Sequence, residues 1–362
     1  MAVVVIPALE PDERLVALVE QLAPRAVVIV DDGSGPAAGP ILAAARELGA
    51  TVLRHPGNRG KGAALRTAID HVRAAHPGQH VVTADCDGQH RPADIAAVEA
   101  AIAPGTIVLG ERRLTGASAP MRSRIGNAAS RALFALASGV MVADAQTGLR
   151  GIPADALDWV RTVPGDRFEH EQRVLLEAAR RRLPLVGVPI AAVYLDGNAS
   201  SHFRPLTDSV RVVAPLLAPL ARFAALGIGC LALDALLVVV LAAAIGSAGV
   251  AAVLARLGTA TVHFLAGRRW VFGAAGPLRE QLRRYALLAA GTVLVGAIGL
   301  ELAVAAGAAL LPAKLAIDAA LAVLTYLAQR FGVFIAEQRP RRPAAATATA
   351  PIRPTAPRLE LP

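Results

Sequence analysis

The chain has 362 residues, of which 54% are hydrophobic and only 4% aromatic, and it carries a formal charge of +9. That length holds two domains, and the apolar residues gather in the second half, so one half reads as soluble and the other as membrane. A basic chain with so few aromatics, no stacking platform and no zinc-ligand spacing is not read as a nucleic-acid binder; anionic phosphates and an anionic membrane surface suit it better. Cys86 and Cys230 are too isolated for a disulfide framework, which fits a reducing cytosolic face, and no signal peptide is expected ahead of the first strand.

The first strand covers residues 3–6 and ends at Pro7, and Leu15, Leu18, Val19 and Leu22 recur behind Asp12 at helical spacing. A second strand over 26–30 runs into Asp31-Asp32-Gly33-Ser34-Gly35, where loops of an open α/β sheet meet ligands. These carboxylates can accept hydrogen bonds from a base or ribose, or simply cap a turn. A helix over 37–48 and a strand over 51–54 lead to Asn58-Arg59-Gly60-Lys61-Gly62, whose glycines at a helix start let the backbone approach phosphate while Lys61 supplies charge. The spacing is not that of a Walker loop, and a solvated Gly-rich turn is the plainer alternative.

The apolar run 80–84 ends in Asp85-Cys86-Asp87-Gly88-Gln89-His90. Two carboxylates one residue apart at a strand end can both reach a hard divalent cation, with Gln89 as a neutral oxygen ligand, although two acids in a loop can also be merely solvated. Pro92 suits the first turn of the next helix. A strand over 106–109 precedes Gly110-Glu111-Arg112-Arg113, and a helix over 121–138 carries Arg122, Arg124, Asn127, Ser130 and Arg131, either a phosphate clamp or a solvated basic face. Next come Asp144-Ala145-Gln146-Thr147-Gly148-Leu149-Arg150 and a helix opened by Phe168-Glu169-His170-Glu171, whose acids serve a site or a cap. A late strand over 186–193 and the segment 200–205 lead to 208–213, read as an amphipathic helix on a membrane surface.

Apolar stretches near 222–245, 249–267, 285–308 and 312–335 are long enough to cross a bilayer as helices. Arg204, Arg211 and Arg222 precede the first. Arg268, Arg269, Arg279, Arg283 and Arg284 fill the loop between the second and third, and Arg330, Arg339, Arg341 and Arg342 end or follow the fourth. This bias puts both termini and the central loop on the cytoplasmic side. Asp234, Arg256, His263, Glu301 and Asp318 lie in or near the spans, where they pair between helices or mark a transport path. Residues 339–362 are Pro-, Ala-, Thr- and Arg-rich without periodicity and read as a disordered cytoplasmic tail.

Val-Ile-Pro7, Asp31-Asp32-Gly33-Ser34, Asn58-x-Gly60-Lys61-Gly62, Asp85-x-Asp87-Gly88-Gln89-His90, Gly110-x-Arg112 and Asp144-x-Gln146-Thr147-Gly148-x-Arg150 together resemble family 2 glycosyltransferases. Within that family the set is most similar to polyprenyl-phosphate sugar synthases of the dolichyl-phosphate mannosyltransferase type. The resemblance spans residues 1–213 and implies an α/β GT-A fold, Rossmann-like, including an interfacial helix. It implies an NDP-sugar donor, UDP- or GDP-linked, with Mg²⁺ or Mn²⁺ as cofactor, and inverting transfer of a hexose to polyprenyl phosphate. It assigns Pro7, Asp31, Asp32, Lys61 and Asp85 to the nucleotide sugar and Asp85, Asp87 and Gln89 to the metal. Arg112, Arg124 and Ser130 fall to the acceptor phosphate, and the catalytic set is Asp87, Asp144, Arg112 and Arg124.

Residues 220–336, with Arg222-Phe223 and Phe264-x-x-x-Arg268-Arg269-Trp270-Val271-Phe272, resemble the GtrA-like membrane domain, an α-helical domain of four transmembrane helices. The implied protein is multi-pass in the cell membrane, with its catalytic domain and both termini cytoplasmic and Trp270 as an interfacial anchor. Three places depart from these patterns: Ala8-Leu9-Glu10-Pro11 replaces an aromatic-Asn-Glu, Gly187 stands where a Glu is common, and Ala266-Gly267 replaces an Asn-containing approach. A lipid-linked-sugar flippase whose soluble domain only binds, and a glycosyltransferase with a non-lipid hydroxyl acceptor, are the alternatives.

Overall fold

A computed structural model describes residues 2–112, 121–192 and 205–335. Arg113, residues 200–204 and the tail 339–362 lie outside the described residues, as do the side chains of 121–123, Arg122 among them. The N-terminal half, the expected catalytic domain, is built on a seven-stranded sheet: β1 (Ala2–Ala8), β2 (Val27–Asp31), β3 (Thr51–Arg54), β4 (His80–Thr83), β5 (Ile107–Arg112), β6 (Arg150–Ile152) and β7 (Leu185–Ile190). Their order is β3-β2-β1-β4-β6-β5-β7. Every pairing is parallel except those of β6, which runs antiparallel to both β4 and β5. β1 and β2 are continuous apolar runs because helices cover both faces of a parallel sheet.

On one face lie α1 (Glu13–Leu22), α2 (Gly39–Glu47) and α4 (Pro92–Ala100), which pack Leu15, Leu22, Leu42, Ile95 and Val98 against Ile6 and Ile29. On the other lie α3 (Lys61–Ala75), α5 (Met121–Ser138), the short α6 (Leu157–Val160) and α7 (Glu169–Arg180), burying Ile69, Phe134 and Leu175 against Val5 and Val28. Asp12 caps α1 by accepting from the Arg14 amide at 3.0 Å, as its position before the apolar periodicity predicts.

The membrane half consists of α8 (Pro205–Ile245), α9 (Ala248–Ala266), α10 (Leu278–Ala305) and α11 (Leu310–Ala328), with π-helical turns at Gly267–Val271 and Gln329–Val333. All four are long and apolar enough to span a bilayer. The structure differs from expectation at the first span. The surface helix ending near 213 and the span starting near 222 are one helix of 41 residues, with Pro215 and Pro219 inside it. Its first turns are fixed by the catalytic domain rather than by a membrane plane: Leu216 is buried in the same core as Phe134 and Leu175.

The expected third span near 285–308 likewise begins earlier, at Leu278, which places Arg279, Arg283 and Arg284 in the opening turns of α10. Arg268 holds the intervening turn, donating to Gln281 Oε1 at 2.7 Å and to the Gly276 carbonyl at 3.1 Å. The few aromatics concentrate where the bundle meets the catalytic domain: Phe223 meets Tyr326 at 5.3 Å between ring centres and Phe272 meets Phe334 at 5.1 Å. Tyr326 donates from there to the Leu136 carbonyl at the end of α5, at 2.9 Å.

Charged residues in the spans are largely paired. Arg256 lies 3.4 Å from Asp234, which also accepts from Thr259 at 3.0 Å; His263 bonds the Tyr285 hydroxyl at 3.1 Å; Lys314 pairs with Asp318. Such pairs satisfy groups that cannot face lipid alone.

Candidate active site

Residues at the ends of β2, β4 and β5 and at the starts of α3 and α7 build the site. Lys61 opens α3 behind Gly60, whose φ of +103° favours glycine and whose position leaves no room for a side chain, since a Cβ would lie 2.4 Å from the Asp166 carbonyl. The ammonium sits between two carboxylates, 2.7 Å from Asp85 Oδ1 and 3.0 Å from Glu171 Oε2. Burial works against its charge, but Asp85 and Glu171 outweigh it and raise the Lys61 pKa. Asp85 is correspondingly held well below the usual carboxylate range: Lys61 and then His90, whose Nε2 lies 3.1 Å from Asp85 Oδ2, overcome the cost of burying it. Gly148 completes this corner, because a Cβ there would lie 2.4 Å from Asp85 Oδ2.

Asp87 behaves in the opposite way. Burial and then the charge of Asp85 push its pKa up, with the Gln89 amide, which donates to its Oδ1 at 3.0 Å, and His90 and Lys61 acting against them. A carboxylate pair with this surplus of negative charge suits a hard divalent cation. Among the described residues no three carboxylate, imidazole or thiolate groups converge on one point. The candidate ligands the chain presents here are the two aspartates, with Gln89 beside them, fewer than the roughly six oxygens a hard cation takes. Cys86 contributes no thiolate at neutral pH, because burial and then Asp85 push its thiol up to about 12.

The acids after β2 organise the glycine loop. Asp32 accepts from the amides of Arg59 and Gly60 at 2.9 and 2.7 Å and from His55 Nδ1 at 2.7 Å, so its carboxylate fixes the loop that presents Lys61. Asp31 closes β2, fully buried, accepts from the Ser34 amide at 2.9 Å and lies 3.1 Å from Arg54 Nε. Pro7 stands beside them near the end of β1, paired in register with Val30.

On the other side, Arg112 at the end of β5 grips Asp144 with two donors, at 2.6 and 3.2 Å. Asp144 is fully buried and also accepts from the Gln146 amide at 2.9 Å, so this ion pair orients both the arginine and the loop to β6. On α5, Arg124 is exposed, and the buried Ser130 hydroxyl has no hydrogen-bond partner among the described residues. Asn127 and Arg131 from the same helix hold the Ala143 and Val142 carbonyls at 3.2 and 3.1 Å, which makes them supports of that loop.

Two participants were not in the expected set. Glu171 was weighed between site and cap; it joins the site, while Glu169 does the capping, accepting from the Asp166 and Arg167 amides at 3.2 and 3.3 Å. Arg150, buried in β6, donates to the Glu171 carbonyl at 2.6 Å and lies 4.0 Å from its carboxylate. The acid pair of α7 was the available signal.

Residues 3–127 match Glycosyl transferase family 2, and residues 222–334 match the GtrA/DPMS transmembrane domain. An uncharacterised protein of Methanocaldococcus jannaschii is 30% identical over 215 residues, covering 56% of this chain and 86% of that protein. A UDP-N-acetylglucosamine–dolichyl-phosphate N-acetylglucosaminyltransferase of Methanococcus voltae is 30% identical over 151 residues, 40% of this chain and 59% of that protein. Among solved structures, glucosyl-3-phosphoglycerate synthase from Mycobacterium tuberculosis, in complex with Mn²⁺, UDP-glucose and phosphoglyceric acid, is 21% identical. It covers 60% of this chain and 79% of its own, with a TM-score of 0.45. A mannosyltransferase from Pyrobaculum calidifontis in complex with GDP-mannose and Mn²⁺ is 16% identical, covering 91% and 87%, with a TM-score of 0.39. With its sheet, its acidic strand end and its four long apolar helices, the chain belongs to glycosyl transferase family 2 and is a multi-pass membrane glycosyltransferase with a GtrA/DPMS domain.

Proposed function

We propose that the protein transfers a hexose from a UDP- or GDP-linked sugar to polyprenyl phosphate at the cytoplasmic membrane face, with inversion. The observation that carries this reading is the half-buried Asp85–Lys61–Glu171 constellation beside Asp87, in a domain whose core also holds the base of the first span. A divalent cation at Asp85, Asp87 and Gln89, Mg²⁺ or Mn²⁺, supplies Lewis-acid stabilisation of the departing diphosphate. Lys61, fixed by two carboxylates, places a positive charge at the same leaving group. Pro7, Asp31 and Asp32 border the nucleotide.

The acceptor phosphate is already an anion, so it attacks the anomeric carbon without needing a strong general base. Arg112 orients it, held in turn by Asp144, with Arg124 and Ser130 offering further donors from α5. The membrane helices keep the catalytic domain at the surface where this acceptor resides.

The test is to incubate the detergent-solubilised full chain with UDP- and GDP-sugars, polyprenyl phosphate and Mg²⁺ or Mn²⁺, and to extract lipids for mass spectrometry. The expected result is a metal-dependent lipid sugar phosphate, reduced at least about a hundredfold in Asp87→Ala, which still inserts in the membrane. Product only with a hydroxyl acceptor would replace polyprenyl phosphate in this reading, and folded protein without any transfer would overturn it.

A further inference from the structure

A second charged cavity lies away from the reaction centre, between the back of α7 and the near end of the helical bundle. It encloses about 500 Å³. None of Lys61, Asp85, Asp87, Arg112, Asp144 or Glu171 lines it. Seven arginines do, against one carboxylate, Glu177. Glu177 is already occupied by two of them, Arg181 at 2.8 Å and Arg180 at 3.9 Å. Among the described residues Arg173, Arg182, Arg222, Arg269 and Arg330 have no carboxylate within ion-pair distance.

Arg330 is the telling member. Only 6% exposed, it uses one terminal nitrogen on the Ala137 carbonyl, and its Nε has no hydrogen-bond partner among the described residues. Arg173 Nε is likewise buried and unpartnered. A buried guanidinium without a counter-ion is costly, and that cost is removed by an anion with several acceptor oxygens.

The walls differ in kind. α7 supplies Arg173 and Arg180 and the turn after it Arg182; the bundle supplies Arg222, Arg269 and an apolar surface of Trp270, Val271, Phe272, Phe334 and Ile335. Arg269, Trp270 and Val271 close the second apolar helix, Phe334 and Ile335 follow the fourth, and Arg222 lies within the first; Arg and Trp beside such helices favour a lipid–water boundary. A ligand with an anionic head and an apolar body matches both walls, whereas free phosphate matches only one.

We propose that this cavity binds the headgroup of an anionic phospholipid, which acts as a bridge of charge between the catalytic domain and the membrane domain. The proposal concerns a lipid that is bound and not consumed, so it stands independently of the donor and acceptor assigned above.

The experiment is native mass spectrometry and thermal unfolding of the full chain, delipidated in detergent and then supplied with phosphatidylglycerol, phosphatidylcholine or inorganic phosphate. Phosphatidylglycerol is expected to stay bound in preference to phosphatidylcholine and to raise the unfolding midpoint by about 3 °C. Arg182→Gln with Arg269→Gln should abolish both effects, and Arg182→Lys with Arg269→Lys should keep them, which separates lost charge from a damaged fold. Equal retention of the two lipids, or retention unchanged in the Gln pair, would overturn the proposal. So would an equal shift from inorganic phosphate alone, or displacement of phosphatidylglycerol by polyprenyl phosphate with matching inhibition of transfer.

Discussion

Lys61 shows how one side chain ties the site together: it links the end of β4 to the start of α7 through two half-buried carboxylates, each of which also has a second basic group nearby, His90 for Asp85 and Arg150 for Glu171. The neighbouring His170 carries a cost of its own. It is 1% exposed with Nδ1 unpartnered, and burial, then the charges of Arg66 and Arg150, depress its pKa from 6.5 to about 4. The folded state therefore binds this proton less well than the unfolded chain. Stability from this group is complete above pH 6.5, falls as the unfolded chain takes up its proton, and is fully lost once pH drops through about 4. Thermal unfolding at pH 7 and pH 5 should differ by about 2 kcal/mol from this residue, and His170→Gln should flatten that slope; an unchanged slope would show that other groups set it. Asp85, Asp87 and Lys61 stand out in the sequence because they follow a strand or open a helix, with Gly88 after Asp87 and Gly60 and Gly62 on either side of Lys61. The sequence could not assign Glu171, because a helix-opening glutamate has an equally good use as a cap, and only the tertiary approach of α7 to α3 decides between them.

At the scale of the strands, the departure at Gly187 acquires a physical reason. A Cβ there would lie 2.2 Å from Glu111 Oε2, and the Glu111 carboxylate, reaching from β5 over β7, accepts from the Ala143 amide at 2.8 Å. An acid from β5 thus occupies the space that an acid on β7 would need. Because Gly187 is exposed and the overlap is with the movable end of the Glu111 side chain, Gly187→Glu should destabilise the domain by only about 1 kcal/mol, mainly through like-charge repulsion, and Glu111→Ala in the same chain should remove that repulsion, as read from the unfolding midpoint. Failure of the double variant to recover would mean that glycine serves another purpose. β6 was not anticipated. Three residues opened by an arginine carry no strand periodicity, and they become a strand only because the edges of β4 and β5 need a partner between them. The start of α8 differs from expectation for a related reason: Asp208 and Arg211 give 208–213 an amphipathic pattern, but Val210 is exposed while Val212 is buried and Leu216, one turn on, enters the catalytic core.

Across the whole molecule, the two halves share structure rather than a linker. Val212 and Leu216 of α8 are buried against the catalytic domain, and the ends of α5 and α11 meet through Tyr326. A catalytic fragment ending at residue 204 should expose that core and aggregate, while one ending at residue 220 should remain the more monodisperse in size-exclusion chromatography; equal behaviour would show that α8 is dispensable to the domain. The division between a soluble and a membrane half was readable from hydropathy alone, but their junction was not, because hydropathy reports solvent preference and says nothing of which surface a borderline helix covers.

The unbroken α8 also sets a dimension. Its 41 residues reach about 60 Å at about 1.5 Å per residue, roughly twice the ~30 Å hydrocarbon layer. A helix of this length exceeds what a single crossing needs, and its N-terminal third is tied to the catalytic domain through Leu216. A helix longer than the layer it crosses has to tilt or stand proud of it, and because Leu216 joins the same helix to the catalytic core, the length of α8 rather than a linker sets the height of the reaction centre.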